Sequence, residues 1–182
     1  MVAPPRSQQL SRGRIVSEAI ALLDSEGATG LSMRKLAARL GVAPMSLYHH
    51  FADKSALLEA VAEATMADLA SPPPDVPWDQ QLTAISASFR AITRAHPAVA
   101  WMIMVDERPQ ALNRIAEEVV TRLVGLGFTP ADAASVLRTF VRYLIGSAVM
   151  EVSAHFAPEE VEQAFEEGLT LLLAGAAQLR AG

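Results

Sequence analysis

Residues 31–61 read "LSMRKLAARLGVAPMSLYHHFADKSALLEAV". Leu36, Ala37 and Leu40 recur at helical spacing, and Ser32 suits the N-cap of a helix over 33–40. Gly41 follows, the residue that takes positive φ at least cost, so the chain turns sharply there. Pro44 fits the first turn of a short third helix running to about residue 51, because its missing N–H is harmless at that position. Asp53 caps a fourth helix reaching about residue 70. A helix, a glycine turn and a short second helix make a helix-turn-helix, in which the second helix can enter the major groove. With Leu47 at the centre of the buried face and about 100° per residue, Phe51 falls beside it, while Met45 and His49 point away. Tyr48 and Ser46 flank the free face, with Pro44 and His50 at its edges. Serine and histidine hydrogen-bond base edges or phosphates, and methionine or tyrosine can contact the thymine methyl. Arg34 at the start of the second helix, and Lys54 on the first turn of the fourth, stand beside this face as phosphate ligands.

Working outward, the spacing of Ile15, Ala19, Leu22 and Leu23 predicts a helix over 11–26, preceded by a tail at 1–10. The DNA-binding unit is placed at 11–58, with helix 4 continuing to about 70 as a connector. "SPPPDVP", 71–77, holds four prolines and is the boundary, since no helix continues through it and such stretches stay extended. A rear unit, 78–182, has helices over 78–96, 97–104, 110–126, 130–153 and 158–179. Two of these, 130–153 and 158–179, are too apolar for one buried face and call for a second partner surface. The fold class is all-α. The net charge of −5 is uneven: residues 1–58 carry seven basic and four acidic side chains, and 59–182 carry eight and sixteen. A basic front on an acidic body points the front at a polyanion, with a chance distribution of surface charge as the alternative.

The chain has no cysteine, which excludes disulfides, zinc-thiolate sites and cysteine nucleophiles. No glycine-rich phosphate loop and no HExxH appears, the carboxylates are spread over solvent-facing helix positions, and the expectation is a protein that is not an enzyme and needs no cofactor. His49 and His50 are about 100° apart on a helix and lack a further ligand, so no metal site is expected. The N-terminus has no apolar h-region and the apolar runs are short, so a cytoplasmic protein without a membrane span is expected.

The combination of Leu31, Arg34-Lys35-Leu36-Ala37, Leu40-Gly41-Val42, Leu47-Tyr48, an aromatic-ended third helix and Lys54 before Ala56-Leu57-Leu58 resembles the DNA-binding domain of the tetracycline-repressor (TetR) family. "TRLVGLGFTP" and "FEEGLTLLLAGAAQL" are similar to the rear domain of the tetracycline-repressor branch. The resemblance implies a homodimeric, all-helical transcriptional regulator, usually a repressor released from a palindromic operator by a small molecule. By match of position, Arg34, Pro44, Met45, Ser46, Tyr48, His49, His50 and Lys54 fall where family members touch double-stranded DNA. Met33, Pro44 and Met45 replace threonine, glutamine and proline of the tetracycline repressor, so its operator does not carry over.

The same resemblance places an effector pocket among the rear helices. The polar positions of a tetracycline–magnesium site fall near Ala70, Ile85 and Ile103 or Met104, leaving Glu151 as the one acidic match. The effector is therefore expected not to be tetracycline–magnesium. Phe89, Trp101, Met102, Met104, Phe140, Tyr143 and Met150 are large and adaptable. They read either as plain core or, with Arg94 and His96 as polar handles, as a mainly apolar pocket. The last two long helices match the family's dimer-forming pair. Leu137, Val141, Leu144, Gly146, Ala148, Phe165, Gly168, Leu169 and Leu172 are the candidate interface, the alternative being packing within one subunit. A helical interaction or ligand-binding protein without DNA affinity is the rival function, and it leaves the basic front unexplained.

Overall fold

The computed structural model describes residues 10–102, 110–151 and 157–181, and among these every regular element is helical. Nine α-helices follow in order: α1 Arg12–Glu26, α2 Met33–Leu40, α3 Pro44–Tyr48, α4 Lys54–Met66, α5 Trp78–Ala95, α6 Pro97–Trp101, α7 Gln110–Gly125, α8 Pro130–Glu151 and α9 Pro158–Ala181. A 3-10 turn, Ala28–Gly30, joins the first two.

The caps read from the sequence are made. Ser32 accepts from the Lys35 amide and Asp53 from the Ala56 amide at 2.8 Å, each worth about 1 kcal/mol. Gly41 sits at φ 68°, ψ 32°, and its amide reaches the Ala37 and Ala38 carbonyls, so the turn between α2 and α3 needs a left-handed residue.

Two apolar clusters form. The front one gathers Ile15, Leu22, Leu23, Leu36, Leu47, Phe51, Leu57 and Val61, and also takes Val99 from α6 and Met102 just beyond it. The rear one gathers Met66, Leu82, Phe89, Leu123, Phe128, Phe140, Leu144, Phe165 and Leu169. Helix α4 contributes to both, and α6 belongs to the front core although it follows the proline segment. That segment is tied down: buried Gln81 donates to the Val76 carbonyl at 2.6 Å, and Arg122 donates to the Pro72 carbonyl and to Ser71 Oγ.

Helix α8 is long and apolar enough by length and composition to cross a membrane. Here it packs on α5, α7 and α9, burying Ala133, Val136, Phe140 and Leu144. Several of its apolar side chains remain outside the subunit core.

Candidate nucleic-acid interface and ligand cavity

The third helix is shorter than its sequence suggests. It ends at Tyr48, and the His50 and Phe51 amides both bond to the Leu47 carbonyl at 2.9 Å, closing a turn before the Asp53 cap. The helical angle therefore holds for residues 44–48, while His49 and His50 stand in the turn. Leu47 and Phe51 are buried as expected. Met45 is 67% exposed and Tyr48 43%, Pro44 and His49 are exposed, and Ser46 and His50 are half-buried. Arg12 anchors this turn: it donates to the His50 carbonyl at 3.0 Å, and its guanidinium lies 4.2 Å from the Phe51 ring centroid.

The front cations divide into two groups. Lys35 pairs with Glu26, and Arg39 with Glu18 at 2.6 Å and with Ser25. Arg34 and Lys54 are exposed and form no ion pair among the described residues. They stand at the second position of α2 and the first of α4, the helices on either side of α3, which itself carries no lysine or arginine. Met33, one of the departures from the tetracycline repressor, is buried at 8% exposure and packs in the front core.

In the rear unit, a cavity of about 280 Å³ lies between α4, α5, α7 and α8. Met66, Leu69, Leu82, Ile85, Phe89, Leu112, Ile115, Val119, Leu137, Phe140, Val141 and Leu144 make an apolar wall, with Ser86 and Asn113 as its polar members. Of the residues singled out for a pocket, Phe89 and Phe140 line it. The other described candidates stand elsewhere. Met102 is buried in the front core, and His96 faces α1, its Nδ1 2.8 Å from Asp24. Trp101 is 49% exposed. Tyr143 and Met150 border an open groove between α8 and α9, and Arg94 lines a different, more polar cavity. Met104, like Ile103, lies outside the described residues. The missed lining residues on α7 carry an i, i+3, i+7 stripe, Leu112, Ile115 and Val119, that was legible as a helix face.

The interface candidates divide as well. Leu144, Phe165 and Leu169 are buried within the subunit, Leu137 faces the cavity, and Leu172 packs on the rear core. Gly168 lies under the Tyr143 ring, where an added Cβ would sit 2.6 Å from ring atoms, so the close approach it allows is between α8 and α9 of one chain. The Tyr143 hydroxyl donates to the Phe165 carbonyl at 2.5 Å. Burial pushes that phenol above its ordinary value, against the hydrogen bond with Ser147. Ala148 is half-buried toward the polar cavity. Gly146 is open, Val141 is partly exposed, and the outward apolar surface is completed by Val149, Met150, Leu171 and Leu179.

Beyond the apolar cavity lies a charged cluster. Arg90 bonds Glu151 and reaches Glu162 at 2.7 Å, and Arg94 Nε stands 2.8 Å from Glu151 Oε2. The Arg90 and Glu151 side chains are 8% and 7% exposed. Burial pulls the Arg90 pKa down, but the bonds to Glu162 and Glu151 outweigh it and leave it raised. Arg90 holds the Glu162 carboxyl below its ordinary value. The Arg94 contact meets the distance of an ion pair but not the angle of a hydrogen bond. Among the described residues Glu151 Oε2 therefore has this ion pair and no hydrogen bond, and Arg90 Nη2 has no hydrogen-bond partner.

Residues 15–61 match the model of bacterial regulatory proteins of the tetR family, and residues 71–164 match the tetracyclin repressor-like C-terminal domain. The tetracycline repressor protein class A from transposon 1721 of Escherichia coli is 31% identical, over 94% of this chain and 93% of that protein. The HTH-type transcriptional repressor DrrR1 of Streptomyces coeruleorubidus is 31% identical over 76% of the chain, which spans 53% of that relative. A crystal structure of a TetR variant from Acinetobacter baumannii AYE in complex with minocycline gives a TM-score of 0.81 at 31% identity, covering 96% of this chain and 100% of that one. BioQ with its double-stranded DNA operator gives 0.75 at 29%, covering 93% and 99%. Matches that extend through both units, on a helix-turn-helix with this outward face, show that the chain belongs to the TetR family of DNA-binding bacterial regulatory proteins.

Proposed function

We propose that this chain is a homodimeric, cytoplasmic repressor that holds a palindromic operator and is released by a small, mainly apolar effector. The observation that carries the DNA reading is the sorting of the front cations. Lys35 and Arg39 are neutralised by Glu26 and Glu18 of α1, while Arg34 and Lys54 are exposed and form no ion pair among the described residues; Met45 and Tyr48 on α3 and His49 in the turn after it are exposed as well. Unpaired cations at the rim hold phosphates, and uncharged groups between them read bases. Two such units occupy successive major grooves, with half-sites about one DNA turn apart. A salt-dependent gel shift on the chain's own upstream DNA tests this. No shift on any genomic fragment, together with a stable dimer, favours the rival interaction-protein reading.

The proline segment at 71–77 leads from the helices that meet DNA to those that take ligand, and α6 returns to the front core. The apolar cavity supports the effector class. Its wall is large, soft side chains, with Ser86 and Asn113 to orient a ligand. A tetracycline–magnesium effector is disfavoured because Glu151 is committed to Arg90 and Arg94. Isothermal titration showing magnesium-dependent micromolar tetracycline binding would sink that part. Dimerisation is supported by the outward apolar residues of α8 and α9, which are exposed among the described residues. No catalytic step belongs to this reading.

The coupling path runs through α4, whose Leu57, Leu58 and Val61 sit in the front core and whose Met66 lines the cavity. Effector binding favours a spacing of the two α3 helices that the operator does not fit, at a coupling of about 1–3 kcal/mol. Operator affinity that is unchanged at saturating effector refutes this mechanism.

A further inference from the structure

Helix α3 has five residues and ends at Tyr48, so two of the candidate base-reading residues, His49 and His50, stand on a turn rather than on a helix. A helix this short satisfies few of its own backbone groups, and the carbonyls at its end need partners from elsewhere. The Leu47 carbonyl takes the His50 and Phe51 amides. The His50 carbonyl takes Arg12 Nη1 at 3.0 Å, from 38 residues away in the chain. The same guanidinium lies over the Phe51 ring, 4.2 Å from its centroid, and Phe51 is buried in the front core. One planar group therefore holds both the backbone of the turn and the ring that seats it.

The side chains of Ser46, Tyr48, His49 and His50 form no hydrogen bond among the described residues, so the backbone beneath them sets where they stand. Arg12 works from a fixed base. Ser11 caps its helix by accepting from the Arg14 amide at 3.2 Å, and Ile15, Ala19, Leu22 and Leu23 of that helix are fully buried. Arg12 itself is exposed and has no carboxylate partner among the described residues. Resting on the DNA reading above, we infer that Arg12 is a positioning residue for base recognition: it fixes the 49–51 turn so that Tyr48, His49 and His50 meet the base edges. A direct phosphate contact by its remaining N–H groups is the alternative. The two roles separate in solution, because a phosphate contact adds to the salt dependence of binding on any sequence, whereas a positioning residue acts on base discrimination.

The test lets the full-length protein select a duplex from a random library. Fluorescence anisotropy then compares the selected duplex with a scrambled one at several salt concentrations. Arg12→Ala is expected to weaken the selected duplex at least about tenfold, the effect of losing one charge-assisted hydrogen bond. The scrambled duplex stays within about threefold, and the salt slope changes by less than half of the about 1.8 expected for loss of one phosphate contact per subunit of a dimer. Arg12→Lys keeps the charge without the planar stack, and it does not restore the ratio of selected to scrambled affinity. Equal weakening on both duplexes makes Arg12 merely part of the fold. A slope change of the full size makes it a phosphate ligand, and a ratio restored by Arg12→Lys means that charge alone suffices. Each of these three results overturns the inference while leaving the DNA reading standing. A wild-type chain that enriches no duplex removes the DNA reading itself, and this inference with it.

Discussion

Lys54→Ala gives the sharpest measure of the DNA reading. Lys54 is exposed at the N-terminus of α4 and has no ion pair among the described residues, so removing it costs the fold little and removes one phosphate contact per subunit. Each neutralised phosphate contributes about −0.9 to the slope of log K against log salt, so a dimer loses about 1.8 in slope. Between about 50 and 200 mM salt that difference amounts to about 1.1 log units, or roughly 1.5 kcal/mol. The wild-type advantage over the variant therefore shrinks about tenfold across this range. Fluorescence anisotropy on a labelled operator at four salt concentrations reads it directly. Lys35→Ala is the control, because Lys35 is held by Glu26. A slope change for Lys35→Ala equal to that of Lys54→Ala refutes the sorting of cations on which the interface rests.

Five further outcomes follow from the same geometry. Leu47→Ala, in the front core, lowers stability by about 2–5 kcal/mol. Met45→Ala stays within about 0.5 kcal/mol of wild type in denaturant melts while altering operator preference. Arg90→Met leaves the buried Glu151 carboxylate with Arg94 as its one cation among the described residues and lowers stability by about 3 kcal/mol in the same assay; a change under about 1 kcal/mol shows that the cluster is solvated. Glu162 has a depressed folded pKa, so its contribution is complete above its ordinary value of 4.5 and is lost as pH falls through the depressed one; Glu162→Gln flattens part of the acid decline in Tm below that pH, and identical acid profiles contradict the pairing. Leu171→Glu, at a position 73% exposed on α9, moves the sedimentation mass at micromolar concentration toward monomer with the helical content kept, whereas an unmoved dimer mass puts the interface elsewhere.

The front unit was legible because its signals are local. Ser32, Gly41, Pro44 and Asp53 each do their work within one turn, and each is visible as a residue type at a fixed offset. The end of α3 was not legible, since Phe51 continues the buried stripe of Leu47 whether residues 49 and 50 are helix or turn. In the rear unit, α8 is apolar on more than one face, so periodicity could not say which face meets α5 and which meets solvent. That ambiguity put Leu144 at an interface when it lines the cavity, and Tyr143 in the cavity when its ring covers Gly168. The Arg90–Glu151 pair was hidden for a different reason. Charged side chains are almost always exposed unless paired, and a partner 61 residues away leaves no mark in the local pattern.

The placement of α6 bears on how a rear cavity can act on the front. Val99 on α6 and Met102 just beyond it are buried among front-core residues, shortly after the end of α5, whose Ser86 and Phe89 line the apolar cavity. His96, between α5 and α6, meets Asp24 on α1, and on the other side Glu63 on α4 meets Arg114 on α7. The front unit is thus gripped from two directions by elements that wall the cavity, α5–α6 through α1 and α7 through α4. Packed side chains slide poorly past one another, because a shift that opens even a methyl-sized void loses contact energy on both sides. On the proposed mechanism, a ligand that spreads α5 from α7 pulls on α1 and α4 at once. The proline segment does not absorb that motion, since Gln81 and Arg122 pin it to the rear helices.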